Sequence, residues 1–435
     1  MSDQKTKNDD AWESLFEKDH ILETIEKDGR AVVAASEMAR FREPRLMAKF
    51  DHRINLPEIF KKCHLAILPI SRGSYVISHF DAYHTFESKN QSLQHCCLPY
   101  YVQSLNAENI PSETIAVNCA LASGMLSDFL GEDRNALVPT VSGRMGSGEF
   151  SFKIQNTASK QLSAVTVENS QIEIDAAYEG IETLTIFEIK NNISEDFLVR
   201  QLYYPFRVWS SRIAKKVRPV FLVYSNGIFS FYEYKFQSSD CYNSLVLVKQ
   251  KNYTIESEND TTIELPDLEE VLHQISSFDE EPKISFPQAN SFERVINLCE
   301  LLQEKDLTPQ DITDKYAFDI RQADYYSDAG CYLGLIDKYY KEKRKPYYSL
   351  SSFGRKVLSL PYKKRQLTFC RQILKHKVFN QAFRLCESGE VPDKPTVIQL
   401  MKHANLYRVH AEKTYFRRSS TITGWINWIL GLLSG

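Results

Sequence analysis

Nine cysteines occur in the chain, yet no two form a Cys-x-x-Cys pair; Cys96 and Cys97 are adjacent and the rest are scattered. That spacing argues against structural zinc and fits free thiols in a reducing compartment. No Gly-Lys-Ser/Thr closes a glycine-rich loop, so nucleoside-triphosphate hydrolysis is not expected. A methyltransferase signature and a helicase motor are absent as well. The most apolar late stretch, ITGWINWILGLLSG, is too short to span a bilayer and reads as a terminal helix docked on a core. The polar start, MSDQKTKNDDAWESLFEKDH, is no secretory signal, and a cytoplasmic protein with no membrane partner is expected. An excess of one charge is missing too. The net charge of -3 leaves nucleic-acid binding to be judged from where the charges sit.

What is present is a globular composition, 43% hydrophobic and 25% charged over 435 residues, enough for two or three domains. Residues 18–70 read as mainly helical, followed by turn residues and strand-like patterning in SRGSYVISHFDAYHTFE. A helical unit closed by a hairpin makes region 1–95 winged-helix-like. Residues 112–130 read as a helix, and EFSFKIQ, LSAVTVENSQIEID and TLTIFEIK as strands. A helix is expected from about Ser194, a good N-cap with Glu195 and Asp196 in the first turn, to Ile213. RPVFLVYSNG and the following hairpin complete a mixed α/β sheet over 96–275. Between Glu256 and Glu281 lie ten acidic residues and no lysine or arginine, with a short helix at PDLEEVLHQI and then a linker at 276–289. From 290 to 360 the order helix, helix-turn-helix, basic hairpin is that of a winged helix. Residues 361–435 read as further helices, or as a second winged helix.

The chemistry gathers at DAAYEG (175–180) and FEIK (187–190). Glu188 and Lys190 share one face of a strand and Phe187 and Ile189 the other. Asp175 ends the preceding strand in this reading, and AAYEGIETL is long enough for a hairpin that returns a second carboxylate to Glu188. Two carboxylates and a backbone carbonyl form an oxygen-rich site suited to Mg²⁺, with Asp175 and Glu188 as ligands. Such a site serves phosphodiester hydrolysis, the metal activating water and the lysine stabilising the transition state. The next helix carries Gln201, which could point at the site, and Arg200, which could meet phosphate. A surface hairpin with alternating charges is the plainer alternative for the bare spacing.

The segment IEIDAAYEG…TLTIFEIKN…VRQLYYPFRVW resembles the PD-(D/E)xK nucleases, particularly a group of type II restriction endonucleases. Further blocks of that resemblance are FREPRLMAKFDHRINLPEIF…LAILPISRGSYVI, VSGRMGSGEFSFKI and RRSSTITGWINWI. The resemblance implies a restriction-endonuclease-like α/β core with a helical N-terminal region and a C-terminal winged-helix domain. It implies catalytic positions for Asp175, Glu188 and Lys190, with Gln201 in support. The usual proline before the first carboxylate is Ile174 here, so Glu173 competes with Asp175. An earlier acidic residue could join the site, and Glu113, Asp128 and Glu149 are not separable by spacing.

Basic residues around this centre are candidates for DNA contact. Arg144 and Ser147 in SGRMGSGEF could hold phosphate, or form an ordinary turn. Arg72 sits in a second Gly/Ser turn. Between Lys338 and Lys356 seven basic residues face one glutamate, a local charge that attracts phosphate. In the recognition helix, Arg321, Gln322 and Tyr325 could reach base edges. Lys343 and Arg344 in the basic turn, and Arg417 and Arg418 in the tail, suit backbone phosphates. The expected activity is a Mg²⁺-dependent, sequence-specific double-stranded DNA endonuclease of a restriction–modification system. The resemblance implies 5′-phosphate and 3′-hydroxyl ends. A homodimer is expected, with the cognate DNA methyltransferase a separate protein. A structure-specific repair nuclease and a non-catalytic DNA-binding regulator are the competing readings.

Overall fold

The computed structural model describes residues 5–87, 92–255, 262–275, 278, 282–341, 345–386, 390–404 and 406–434. At its centre lies a seven-stranded mixed sheet. In spatial order its strands are Leu93–Cys96, Leu245–Ile255, Ile228–Phe236, Lys216–Ser225, Thr183–Lys190, Gln171–Glu179 and Val138–Gly146. Thr183–Lys190 runs parallel to Lys216–Ser225 and antiparallel to Gln171–Glu179. Both central strands are buried over most of their length, as a strand covered on two faces must be, and Thr183–Lys190 is so despite Thr185 and Glu188. Helices Glu113–Ala122 and Met125–Leu130 cover one face, burying Ala116, Val117 and Phe129 against Phe187, Ile189, Val220 and Leu222. On the opposite face Phe206 and Trp209 of helix Arg200–Arg212 pack against Leu184, Ile186 and Val217. Glu188 and Lys190 alternate with Phe187 and Ile189 and so belong to the second face.

Three local expectations differ from this arrangement. The strand bearing Asp175 continues to Glu179, and the chain reverses only between Gly180 and Thr183. Ser194 does not start a helix. Residues Asp196–Leu198 are extended, pair with Tyr83–Thr85, and place Leu198 N on Asp51 O at 2.9 Å, so the helix begins at Arg200. Tertiary pairing has outweighed a good capping sequence. Finally, SGRMG is strand rather than turn. Gly143, at φ +90°, absorbs an irregularity of the pairing with the Asp175 strand, a backbone conformation that disfavours other residues.

The N-terminal unit has helices Lys7–Lys18, Ile21–Asp28, Pro44–Ala48 and Glu58–Lys62, with a three-stranded antiparallel sheet. Ser74–Ser78 lies in the middle of that sheet, between Ala31–Ala34 and Ala66–Pro69. The strand Ala31–Ala34 interrupts what reads in sequence as continuous helix. Trp12, Phe16 and Phe60 meet edge to face, and Trp12 Nε1 donates to Met47 O at 2.8 Å. This core is continuous with that under helix Arg200–Arg212.

The C-terminal unit has a core of its own. Helices Phe292–Glu304, Pro309–Lys315 and Ile320–Tyr332 precede the hairpin Ile336–Tyr340 and Pro346–Leu350, and Leu307 bridges antiparallel to Tyr348. Among the described residues the α-helices Ser352–Leu358, Tyr362–Leu374, Lys377–Arg384, Lys394–His403 and Glu412–Gly431 follow. The acidic helix Leu265–His273, expected within the central domain, buries Leu268 and Val271 in this core instead, and Asp267 pairs with Lys363 at 3.0 Å. Part of the expected linker is likewise packed here, with Phe286 stacked on Phe379. No helix among the described residues is long and apolar enough to cross a membrane.

A buried carboxylate and lysine centre as candidate active site

The hairpin register decides which acidic residue faces Glu188. The ladder ends with Phe187 paired to Ala176, which leaves Asp175 as the acidic residue beside Glu188 at the end of the pairing. Asp175 Oδ2 accepts from Ile189 N at 2.8 Å, tying the aspartate to the backbone between Glu188 and Lys190. Glu188 Oε1 accepts from Lys190 Nζ and from Gln201 Nε2, both at 2.6 Å. Lys190 Nζ also donates to Ile189 O at 3.1 Å and lies 3.9 Å from Glu113 Oε1. Gln201 projects from the first turn of the helix that covers this face. Its Oε1 is buried and has no hydrogen-bond partner.

The electrostatics follow from crowding carboxylates around one lysine in a desolvated place. Burial pushes the Glu188 carboxyl up to about 8; Lys190 opposes this, while Asp175 and Asp51 add to it. Burial pulls the Lys190 ammonium down, but Glu188, Asp175, Glu113 and Asp51 outweigh it and hold it above the ordinary value. Glu113 is raised, by burial first, with Lys190 opposing. Lys190 is therefore a firm cation among acids. Among the described residues no group of three or more His, Cys, Asp or Glu side chains is disposed to hold a metal ion.

Burial of Glu188 makes a prediction for the metal-free protein. A folded-state value near 8 lies above the roughly 4.3 of a solvated glutamate, so folding takes up a proton between these values. The associated stability is complete below about pH 4.3 and is lost as pH rises through 8. Glu188→Gln does not titrate. The melting temperature of the wild type should therefore fall relative to Glu188→Gln between about pH 5 and 8. A difference that stays flat over this range contradicts the assignment, whatever constant offset the lost partner of Lys190 contributes.

The other acidic candidates separate clearly. Glu173 is exposed and pairs with Arg144 at 3.1 Å. Asp128 accepts from Lys251 and Tyr253, and Glu149 is exposed on its strand. Glu113 alone of the three early candidates reaches Lys190. Asp51 had no sequence signal. It comes from the N-terminal unit, where His52 Nδ1 meets Asp196 O at 2.6 Å and Arg53 N donates to Asp196 Oδ1 at 3.1 Å.

Of the residues expected to meet DNA, Arg72 is exposed, and its Nη2 approaches Gly146 closely enough that a Cβ there would lie 3.8 Å away. The exposed Arg212 donates to Gly146 O at 3.4 Å. Arg72 and Arg212 thus meet at Gly146 on the edge strand Val138–Gly146, whereas Arg144 pairs with Glu173. Ser147 is buried, its hydroxyl donating to Gly148 O at 2.8 Å. Arg200 lies over the Tyr204 ring, with its Nε buried and unpartnered. Arg321 is exposed at the start of its helix and Tyr325 half-buried, whereas Gln322 Oε1 turns inward to Arg294 at 3.3 Å. Arg417 is exposed; Arg418 is half-buried with Nε and Nη1 lacking partners. Lys343 and Arg344 lie outside the described residues. Arg72, Arg144, Arg321 and Arg417 are thus the exposed candidates, while Asp175, Glu188, Lys190 and Gln201 lie on the central sheet and the helix that covers it.

Three family models match the chain in sequence: DUF6996 over residues 9–77, DUF6997 over 78–254 and DUF7226 over 294–434, each a domain of unknown function. No curated protein and no solved structure matches it. All four residues of the centre fall within the second of these matches.

Proposed function

We propose that the protein is a Mg²⁺-dependent, sequence-specific endonuclease of double-stranded DNA, the restriction component of a type II restriction–modification system. The carrying observation is the convergence of Asp175, Glu188, Lys190 and Gln201 at the end of a strand that has a parallel neighbour. The order helix, antiparallel strands, helix, parallel strand supports a PD-(D/E)xK core. In both terminal units a strand or bridge pairs with the last strand of a hairpin, which supports winged-helix modules that dock on DNA.

The donor set fits Mg²⁺ in kind. Asp175, Glu188 and the Ile189 carbonyl are hard oxygen donors, and the unpartnered Gln201 Oε1 is a further neutral oxygen. Bound there, the ion would polarise the scissile phosphate and lower the pKa of the attacking water. Lys190 supplies a fixed positive charge where negative charge develops on phosphate. Its raised proton affinity suits it to that role rather than to accepting the proton from water. Gln201 orients Glu188 through its amide. Cleavage of both strands calls for two such centres, hence a homodimer, and self-protection calls for a separate methyltransferase in the same cytoplasm.

The deciding experiment incubates the purified chain with unmethylated plasmid and Mg²⁺ and maps the ends. Repeated cuts at one short sequence, leaving 5′-phosphates, are expected. Cuts confined to forks or lesions point to a repair nuclease, and tight duplex binding without cleavage to a regulator. The arginine pair at Gly146 gives a separate prediction. Arg72→Ala with Arg212→Ala should weaken duplex binding about 10-fold or more and reduce the salt slope of log K by about 2. An unchanged slope places the DNA elsewhere.

A further inference from the structure

Helix Phe292–Glu304 of the C-terminal unit crosses the ends of the two parallel strands that frame the centre. Its contact there is polar. Asn297 is fully buried. Its Oδ1 accepts from Ile193 N at 3.1 Å and its Nδ2 donates to Asn191 O at 3.0 Å. One carboxamide therefore grips the backbone on both sides of Asn192, immediately after Lys190, as a neighbouring strand would. The same Nδ2 lies 3.3 Å from Ser225 Oγ and 3.4 Å from Glu300 Oε2.

The neighbouring strand end is held in the same manner. Glu300 accepts from Ser225 Oγ at 2.6 Å and from Asn226 N at 2.7 Å. Asn226 and Gln366 exchange hydrogen bonds at 3.0 and 2.9 Å, and Arg365 Nη2 donates to Asn226 O at 2.9 Å. A contact needed only for cohesion would be cheaper to build from apolar side chains, because buried polar groups gain little net stability. What matched polar groups supply is a single geometry.

We infer that Asn297 is a positioning residue for the candidate centre, fixing segment 191–193 and through it Lys190, so that cleavage requires the C-terminal unit to be seated on the sheet. This rests on the nuclease reading. It couples a DNA-reading module to the chemistry through one side chain on helix Phe292–Glu304. Binding of DNA by the C-terminal unit then bears directly on where the Lys190 ammonium sits.

The test compares Asn297→Ala and Asn297→Ser with Leu298→Ala, a buried truncation on the same helix. Asn297→Ala should lower kcat on a cognate duplex on the order of 10- to 100-fold with KM unchanged, as misplacement of a reacting group does. Asn297→Ser, which keeps one hydrogen-bonding atom, should lose less. Leu298→Ala should lose as much thermal stability and keep its kcat. Amide exchange measured by mass spectrometry should rise over residues 189–193 in Asn297→Ala alone. Equal kcat losses in Asn297→Ala and Leu298→Ala, or a change in KM only, would overturn the inference. If the wild type cuts no duplex, the nuclease reading fails by itself. The exchange measurement still decides whether Asn297 holds this segment, and unchanged exchange at 189–193 overturns that claim.

Discussion

Lys190→Ala should abolish cleavage, lowering kcat on the order of 10³-fold or more while the duplex is still bound. The Lys190 ammonium bonds Glu188, lies 3.9 Å from Glu113 and is held charged by both together with Asp175. Its loss leaves those carboxylates facing one another in a desolvated place. Since Lys190 opposes the upward shift of Glu188, the variant should relieve the repulsion by keeping Glu188 protonated to still higher pH. That neutralisation spares the fold part of the cost of an unpaired buried charge, so the protein should remain soluble and folded. It also removes the carboxylate form that a metal needs. The double variant Glu188→Gln with Lys190→Ala should then be no worse than the poorer single variant, because the two side chains act as a unit. Single-turnover cleavage of a cognate duplex, with binding measured in parallel, separates chemistry from affinity. More than about a tenth of wild-type cleavage in the double variant would remove these residues from the active centre.

How much of this centre the sequence discloses depends on how local each contact is. Glu188 and Lys190 are legible because a strand with period two puts them on one face, with apolar residues between. Gln201 is legible because the next helix must cover that face. Asp175 is not decided by pattern, since either Asp175 or Glu173 lies on a suitable face until the hairpin is known to turn between Gly180 and Thr183. Register then leaves Asp175 beside Glu188 and sends Glu173 to Arg144. Glu113 is visible as an acidic helix start but becomes distinct from Asp128 and Glu149 only through packing at the sheet end. Asp51 is invisible in sequence. It reaches the centre because Asp196–Leu198 forsakes a helix to pair with Tyr83–Thr85 and with the Asp51 backbone, a contact between distant segments. Gln322 shows a contact that spacing on the helix does not disclose: its Oε1 accepts from the buried Arg294.

The largest expected effect on stability lies far from the centre, where helix Glu412–Gly431 meets the extended stretch before Phe292. Gly424 lies so close to Asn290 that a Cβ would collide with its backbone carbonyl. The next residue, Trp425, is fully buried, donates from Nε1 to Ala289 O at 2.7 Å, and packs against Phe379 and Phe292 at 5.0 and 5.1 Å between ring centroids. Trp425→Ala removes ring and hydrogen bond together and should cost about 3–5 kcal/mol. Gly424→Ala must push the helix away from the Asn290 backbone and should cost about 1–3 kcal/mol or more. Because the C-terminal unit has its own core, these losses should appear as an early calorimetric transition, lowered by about 10 °C in Trp425→Ala, with the main transition of the central sheet little changed. Phe292 links the two ends of the argument. It packs on Trp425 and begins the helix whose Asn297 grips the segment after Lys190. Above the early transition, cleavage should therefore disappear while Asp175, Glu188 and Lys190 remain in a folded sheet. If cleavage persists through that transition and ends only with the second, the central sheet holds Lys190 in place without help from the C-terminal helices.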